Sequence, residues 1–142
     1  MLIAEILRNK GSGVVAVSPG ESVAGLLTRL AAHNIGAVVV MHDDRVVGVA
    51  SERDIVRALD RRGTGLLGEP VSEIMTTGVV TCTTDDTEDT LTVLMTENRI
   101  RHVPVLNGGE LVGIVSIGDV VKSRISQLEQ DRRQLEAYIT QG

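Results

Sequence analysis

Phenylalanine and tryptophan are absent, and Tyr138 is the single aromatic among 142 residues. A core without rings must be filled by Val, Ile, Leu, Ala and Met, and plentiful β-branched valine favours strands. Cysteine occurs once, at Cys82, so no disulfide can form within the chain. That fits a reducing compartment, and a cytoplasmic protein is the expectation. No apolar run approaches the roughly 20 residues that a membrane helix needs. Met1 to Lys10 is too short for a signal peptide with its cleavage site. No membrane partner is therefore expected. Positive charge is also scarce: 14 Lys and Arg stand against 19 Asp and Glu, a net charge of -5. A general nucleic-acid binder needs phosphate-neutralising cations, so no nucleic-acid partner is expected, although a local cationic pocket remains possible. What is present is 42% hydrophobic and 23% charged residues, enough to bury a core and too apolar for disorder. The length suits one compact domain or two small fused ones.

The chain repeats itself at one spacing of 65 positions. Gly13-Val14-Val15 recurs as Gly78-Val79-Val80, Gly48 as Gly113, Ser51 as Ser116 and Asp54 as Asp119. Leu26/Leu91, Ile35/Ile100, Val38/Val103, Val40/Val105 and Val47/Val112 follow the same offset, and no gap is needed between Gly13 and Ser123. Matching Gly, Ser and Asp in one phase with apolar positions points to internal duplication. Each copy reads as a short strand (Val14 to Val17, Val79 to Cys82), then a helix capped by Ser22 or Thr87. Two strands follow across a polar turn, Ala37 to Met41 with Val46 to Ala50, and Val103 to Leu106 with Leu111 to Val115. A second helix starts after Ser51 and after Ser116.

The expected fold is therefore α/β (α+β): two β-α-β-β-α repeats packed sheet to sheet around a pseudo-two-fold axis, with a long C-terminal helix. The first repeat is placed at 8–62, a Gly-rich linker at 63–72, the second repeat at 73–126 and the extended helix at 119–139. A leading helical turn or two is expected over Met1 to Arg8. In the last helix Val121, Ile125, Leu128, Leu135 and Ile139 form a stripe that Arg132 interrupts. That stripe fits packing on the body or on a second subunit.

Two segments carry the chemistry, Gly48-Val49-Ala50-Ser51-Glu52-Arg53-Asp54 and Gly113-Ile114-Val115-Ser116-Ile117-Gly118-Asp119. Each runs from a strand end into a helix start, where unpaired N–H groups and partial positive charge suit a phosphate. An Asp one turn on offers two acceptor oxygens for the adjacent hydroxyls of a ribose. Ser-x-x-Asp is equally a capping box that starts a helix, and capping and binding can coexist.

The arrangement Ile100-Arg101-His102-Val103-Pro104 followed by Gly113 to Asp119, with Asn34-Ile35-Gly36-Ala37 followed by Gly48 to Asp54, resembles tandem cystathionine-beta-synthase (CBS) domain proteins. The resemblance covers Lys10 to about Ser123. It implies a non-catalytic regulatory module that binds adenosine-containing ligands (AMP, ADP, ATP, NADH or S-adenosylmethionine) between the copies. It also implies a homodimer and a separate effector protein whose identity the sequence does not give. No cofactor is required; the adenine nucleotide is the regulatory ligand.

Carried over residue by residue, the resemblance gives two clefts. In the stronger, Asp119 grips the ribose, Ser116 the ribose or phosphate, Arg101 and His102 approach the phosphate, and Lys10 and Ser12 close the site. Val14, Val103, Pro104 and Ile114 line the adenine slot. The weaker uses Asp54, Ser51 and Arg53, lined by Ile35, Gly36, Ala37, Val49 and Val79, with Met75 and Thr77 matched to Lys10 and Ser12. It departs from the family pattern, since Gly36, Ala37 and Val39 stand where the other copy has Arg101, His102 and Pro104. The alternative is a dimerisation and protein-interaction module with vestigial clefts.

His33, His42 and His102 lack metal spacing, so no metal is expected. No Ser-His-Asp set, P-loop or carboxylate pair has convincing context, so no enzyme is expected and no catalytic residue is assigned.

Overall fold

The computed structural model describes residues 1–11 and 13–141. Helix α1 (Ile3–Lys10) leads into β1 (Ala16–Val17), α2 (Val23–His33), β2 (Ala37–His42), β3 (Arg45–Ser51) and α3 (Glu52–Arg62). Two short 3-10 turns, Thr64–Gly68 and Val71–Glu73, precede β4 (Cys82–Thr83), α4 (Glu88–Asn98), β5 (His102–Asn107), β6 (Glu110–Ser116) and α5 (Ile117–Gln141). This is the mixed α/β architecture expected, with two repeats and a long last helix. None of the described helices is long and apolar enough to cross a membrane.

Each repeat has one three-stranded sheet, β1-β2-β3 and β4-β5-β6, with a parallel first pair and an antiparallel second. The register repeats residue for residue: Ala37 faces Ser51 as His102 faces Ser116, and Val40 faces Gly48 as Val105 faces Gly113. The first strands are shorter than the sequence suggests. In repeat one the Val39 amide still donates to the Val15 carbonyl at 3.4 Å. In repeat two Pro104 stands at that position and has no N–H to give, and β4, also two residues, begins one repeat position later than β1. The capping residues act as their type predicts. Ser22 Oγ accepts from the Gly25 amide at 3.1 Å, and Thr87 Oγ1 from the Thr90 amide at 3.2 Å.

Each repeat has its own apolar core, and each core is completed by the segment leading into the other repeat. Ile3 and Ile6 of α1 are buried with Cys82, Leu91, Met95, Val103, Val105, Val115 and Val120. Leu66 and Val71, from the stretch read as a linker, are buried with Val17, Leu26, Leu30, Val38, Val40 and Ile55. Cys82 is enclosed in this way, and burial, with Asp86 nearby, pushes its thiol up to about 11.

Backbone hydrogen bonds fix the exchange. The Ile3 amide donates to the Asp86 carbonyl (2.9 Å) and Ala4 to Thr84 (3.2 Å), while Val71 donates to Glu21 (2.7 Å) and Ser72 to Pro19 (3.0 Å). The acceptors are 65 residues apart, as in the repeat, but the donors are 68 apart. The leading segment of repeat one is three residues longer because α1 continues as α-helix where Val71–Glu73 makes a single 3-10 turn.

The slip changes one correspondence. Leu7, not Lys10, is the counterpart of Met75: Leu7 packs beside Gly113 as Met75 packs beside Gly48. A Cβ on Gly48 would stand 2.7 Å from Met75 Sδ and 3.1 Å from the Thr76 carbonyl oxygen, which is backbone. For a Cβ on Gly113 the three nearest heavy atoms all belong to the Leu7 side chain, Cδ2 standing at 2.6 Å. Gly48→Ala is expected to cost about 1–3 kcal/mol and Gly113→Ala clearly less, since a side-chain end can swing away. Urea melts of the two variants check the order; a larger loss for G113A contradicts it.

Candidate ligand-binding cleft

At the end of β3 the chain turns into α3 through a complete capping box. The Ser51 amide and hydroxyl donate to Asp54 Oδ2 at 2.9 and 3.0 Å, and the Asp54 amide donates back to Ser51 Oγ at 3.3 Å. The β6–α5 junction repeats this, with the Ser116 amide on Asp119 Oδ2 at 2.9 Å and the Asp119 amide on Ser116 Oγ at 3.1 Å. Both motifs therefore start helices, an arrangement worth about 0.5–2 kcal/mol each. What surrounds the two carboxylates differs.

Asp54 lies on a cavity of about 620 Å³ formed between the repeats, within the range of small-molecule sites. The first repeat contributes Gly36, Val49, Ser51, Glu52, Arg53, Asp54, Val56 and Arg57. The second contributes Gly78, Val79, Val80, Arg99, Ile100, Arg101 and His102, and Thr76 comes from the segment between. Four arginines thus face two carboxylates in a chain whose net charge is -5. Arg53 and Arg57 lie one helical turn apart at the start of α3. Arg99 caps α4 in the left-handed conformation, φ 53° and ψ 44°, where the first repeat has Asn34. A non-glycine residue there costs about 1–2 kcal/mol, and Asn bears it better than Arg. The chain accepts that cost and places a cation on the cavity lining. Burial first, then the Lys10 ammonium, hold the His102 imidazole below its ordinary range, with Glu52 and Asp119 pulling the other way.

Asp119 is not on this lining. Lys10, the last residue of α1, extends its ammonium to Asp119 Oδ2 at 2.7 Å and to the Ile114 carbonyl at 2.6 Å. In the first repeat the matching carbonyl, Val49, accepts from the Thr76 amide at 2.9 Å. Among the described residues no backbone amide bonds to the Ile114 carbonyl in this way, and the lysine ammonium bonds to it. Partial burial raises the Asp119 carboxyl, but the hydrogen bonds from Lys10 and Ser116 outweigh it and hold the group below the usual carboxylate range.

The structure sorts the expected residues differently from the sequence. Arg101 and His102, grouped with Asp119 by the motif, line the Asp54 cavity instead. The cause is local: Gly36, the residue ahead of β2, lies against His102, the first residue of β5, where a Cβ on Gly36 would stand 3.5 Å from the ring. Residues of either repeat can there face either crevice. Gly36, Val49, Ser51, Arg53, Asp54 and Val79 come together as grouped. Ala37 and Val103 are buried in the sheets, as is Pro104, opposite Ile114. Ile35 and Met75 pack on the first core, and Val14 is half-buried ahead of β1. Thr77 is exposed beside Thr76, and Ser12 lies outside the described residues. Among the cations missed by the sequence, Arg57 was legible in its four-residue spacing from Arg53. Arg99 was legible as the position equivalent to Asn34. No cluster of three or more His, Cys, Asp or Glu suited to a metal occurs among the described residues.

A family model described as "CBS domain" matches residues 4–61 and 71–126. The chain belongs to the CBS-domain family. Its fold is close to that of the CBS-domain containing protein ATU1752 from Agrobacterium tumefaciens, with TM-score 0.85 and 46% identity over 87% of this chain and 99% of that one. It also resembles CBS domain protein PAE2072 from Pyrobaculum aerophilum, solved with AMP, at TM-score 0.75 and 32% identity over 84% and 89% of the two chains. The CBS domain pair of MJ0100, solved with 5′-methylthioadenosine and S-adenosyl-L-methionine, matches at TM-score 0.80 and 25% identity over 89% and 98%.

In this CBS pair the Lys10–Asp119 bridge is partly exposed and screened, so Lys10→Met should cost no more than about 1 kcal/mol. The depressed Asp119 carboxyl contributes stability above its unfolded pKa and loses it as pH falls through the folded value. Removing Lys10 should therefore raise the Asp119 titration midpoint and shrink the acid-side loss, as followed by carboxylate NMR in K10M. An unmoved midpoint would show that the bridge does not form.

Proposed function

We propose that this CBS pair is a non-catalytic regulatory module of the cytoplasm. It binds one adenosine nucleotide per chain in the Asp54 cavity and passes that state, as a homodimer, to a separate effector protein. The observation that carries the reading is the joining of Asp54 with Arg53, Arg57, Arg99 and Arg101 on one inter-repeat cavity. The carboxylate suits the paired hydroxyls of a ribose, with each charge-assisted bond worth about 1.5–3 kcal/mol. Val49, Val56, Val79, Val80 and Ile100 offer apolar surface to a base. The arginines suit phosphate, so ATP and ADP fit better than AMP. S-adenosylmethionine, which carries a sulfonium cation, fits worst. AMP in PAE2072 and the adenosyl ligands of MJ0100 support the ligand class.

A ligand spanning α3 and the α4–β5 turn touches both repeats. It therefore binds most tightly when they are in one relative arrangement, which is what coupling to a partner requires. The opposing reading, an interaction module with vestigial clefts, draws support from the second junction alone, where Lys10 already holds the carboxylate that would grip a ribose.

Titration calorimetry with AMP, ADP, ATP, NADH and S-adenosylmethionine tests the proposal. The expectation is one site per chain, with affinity rising from AMP to ATP. Asp54→Ala should weaken binding by at least about tenfold, and Asp119→Ala far less. No heat and no thermal shift with any of the five at millimolar concentration would remove the proposal.

His102 gives a pH signature. Burial and the Lys10 ammonium lower its pKa in the free cavity and a bound anion raises it, so binding takes up protons. Affinity for ATP should strengthen as pH falls from the raised bound value towards the lowered free one. Heats compared in buffers of different ionisation enthalpy measure the uptake, and His102→Gln should remove it.

A further inference from the structure

Helix α5 is 25 residues long, yet its buried residues are Val120 and Ser123, both near its start. Arg124, bridged to Glu88 and Asp89, marks the end of its grip on α4. The family match stops at residue 126. Beyond it an exposed helix of about four turns continues, a length that is marginal alone in water. Along it Val121, Ile125, Leu128, Arg132, Leu135 and Ile139 alternate in steps of four and three, the a/d spacing of a two-stranded coiled coil. The five apolar members are 51% to 67% exposed. They run roughly a third of a turn around the helix from Val120 and Ser123, so the body leaves the stripe open.

The charges beside the stripe select its occupant. Lys122 and Arg124 flank the first half, and Glu129, Asp131 and Glu136 flank the second. Two parallel copies would set Arg132 against Arg132 inside the seam and Asp131 beside Glu136, with Arg124 beside Glu129 as the one favourable flanking pair. Antiparallel copies cross the halves and bring Lys122 beside Glu136 of the second copy, while Glu129 and Asp131 each meet their own counterpart at the centre, between the two Arg132 guanidiniums. Val121 then layers on Ile139, Ile125 on Leu135 and Leu128 on Arg132, whose guanidinium lies among Glu129 and Asp131 of the second copy. Every seam position gains a counterpart in this register.

We propose that α5 pairs antiparallel with α5 of a second copy, through a seam centred on residue 130. The inference rests on the homodimer in the reading above and is independent of the nucleotide. Sedimentation of the full chain at micromolar concentration should show a dimer, and Leu128→Asp should weaken it by at least about a hundredfold. For orientation, V121C chains mixed with I139C chains should form a disulfide with each other in preference to either forming one with itself; buried Cys82 stays silent. ATP titration of L128D reads the cleft separately, so a failed cleft and a failed seam are distinguishable. A monomeric parent, a dimer unchanged in L128D, or V121C chains linking to one another ahead of I139C overturns the proposal.

Discussion

A three-stranded sheet with two helices leaves part of its core uncovered, and in this chain each half is closed by a strap that belongs to the other. The amides of Ile3 and Ala4 bond to the turn before α4, and those of Val71 and Ser72 bond to the turn before α2. Ile3 and Ile6 fill one core, Leu66 and Val71 the other. Neither repeat can leave its neighbour without exposing those side chains and unpairing those amides. The relative position of α3 and the α4–β5 turn is thereby set, and so is the cavity that joins Asp54 to Arg99, Arg101 and His102.

The exchange is nearly symmetric, and its one departure decides the character of the two junctions. Three extra residues let α1 run on to Lys10 as helix. The extended bridge that Thr76 makes to Val49 has its place taken on the other side by an ammonium between Ile114 and Asp119. Two matching capping boxes thus acquire opposite surroundings: one carboxylate satisfied by the Lys10 ammonium, the other set among arginines on an open cavity. The duplicated sequence supplies two equal junctions, and the length of one helix makes them unequal.

Much of this was legible in the residues. The spacing that pairs Gly48 with Gly113 and Asp54 with Asp119 exposed the duplication, and Ser22, Thr87, Ser51 and Ser116 marked four helix starts. Apolar segments on either side of a polar turn located β2, β3, β5 and β6 to within a residue at each end. Other features depended on three-dimensional relations that no linear pattern carries. An ungapped repeat cannot distinguish α-helix from a 3-10 turn, so Lys10 was matched to Met75 although Leu7 occupies that place. Motif position does not say which crevice Arg101 and His102 face, because that depends on Gly36 of the other repeat lying against His102. Gly63, Gly65, Gly68 and Pro70 read as a linker, while Leu66 and Val71 between and beyond them belong to the core.

Tyr138 stands 77% exposed near the far end of α5, distant in the fold from both cores. No other residue of the chain has an aromatic ring beyond the imidazoles. The body is consequently almost transparent in the near ultraviolet, and an adenine held between the repeats would be visible there with scarcely any background from the polypeptide. Emission from the lone phenol, by the same placement, reports on the last turns of the helix and stays blind to the cavity.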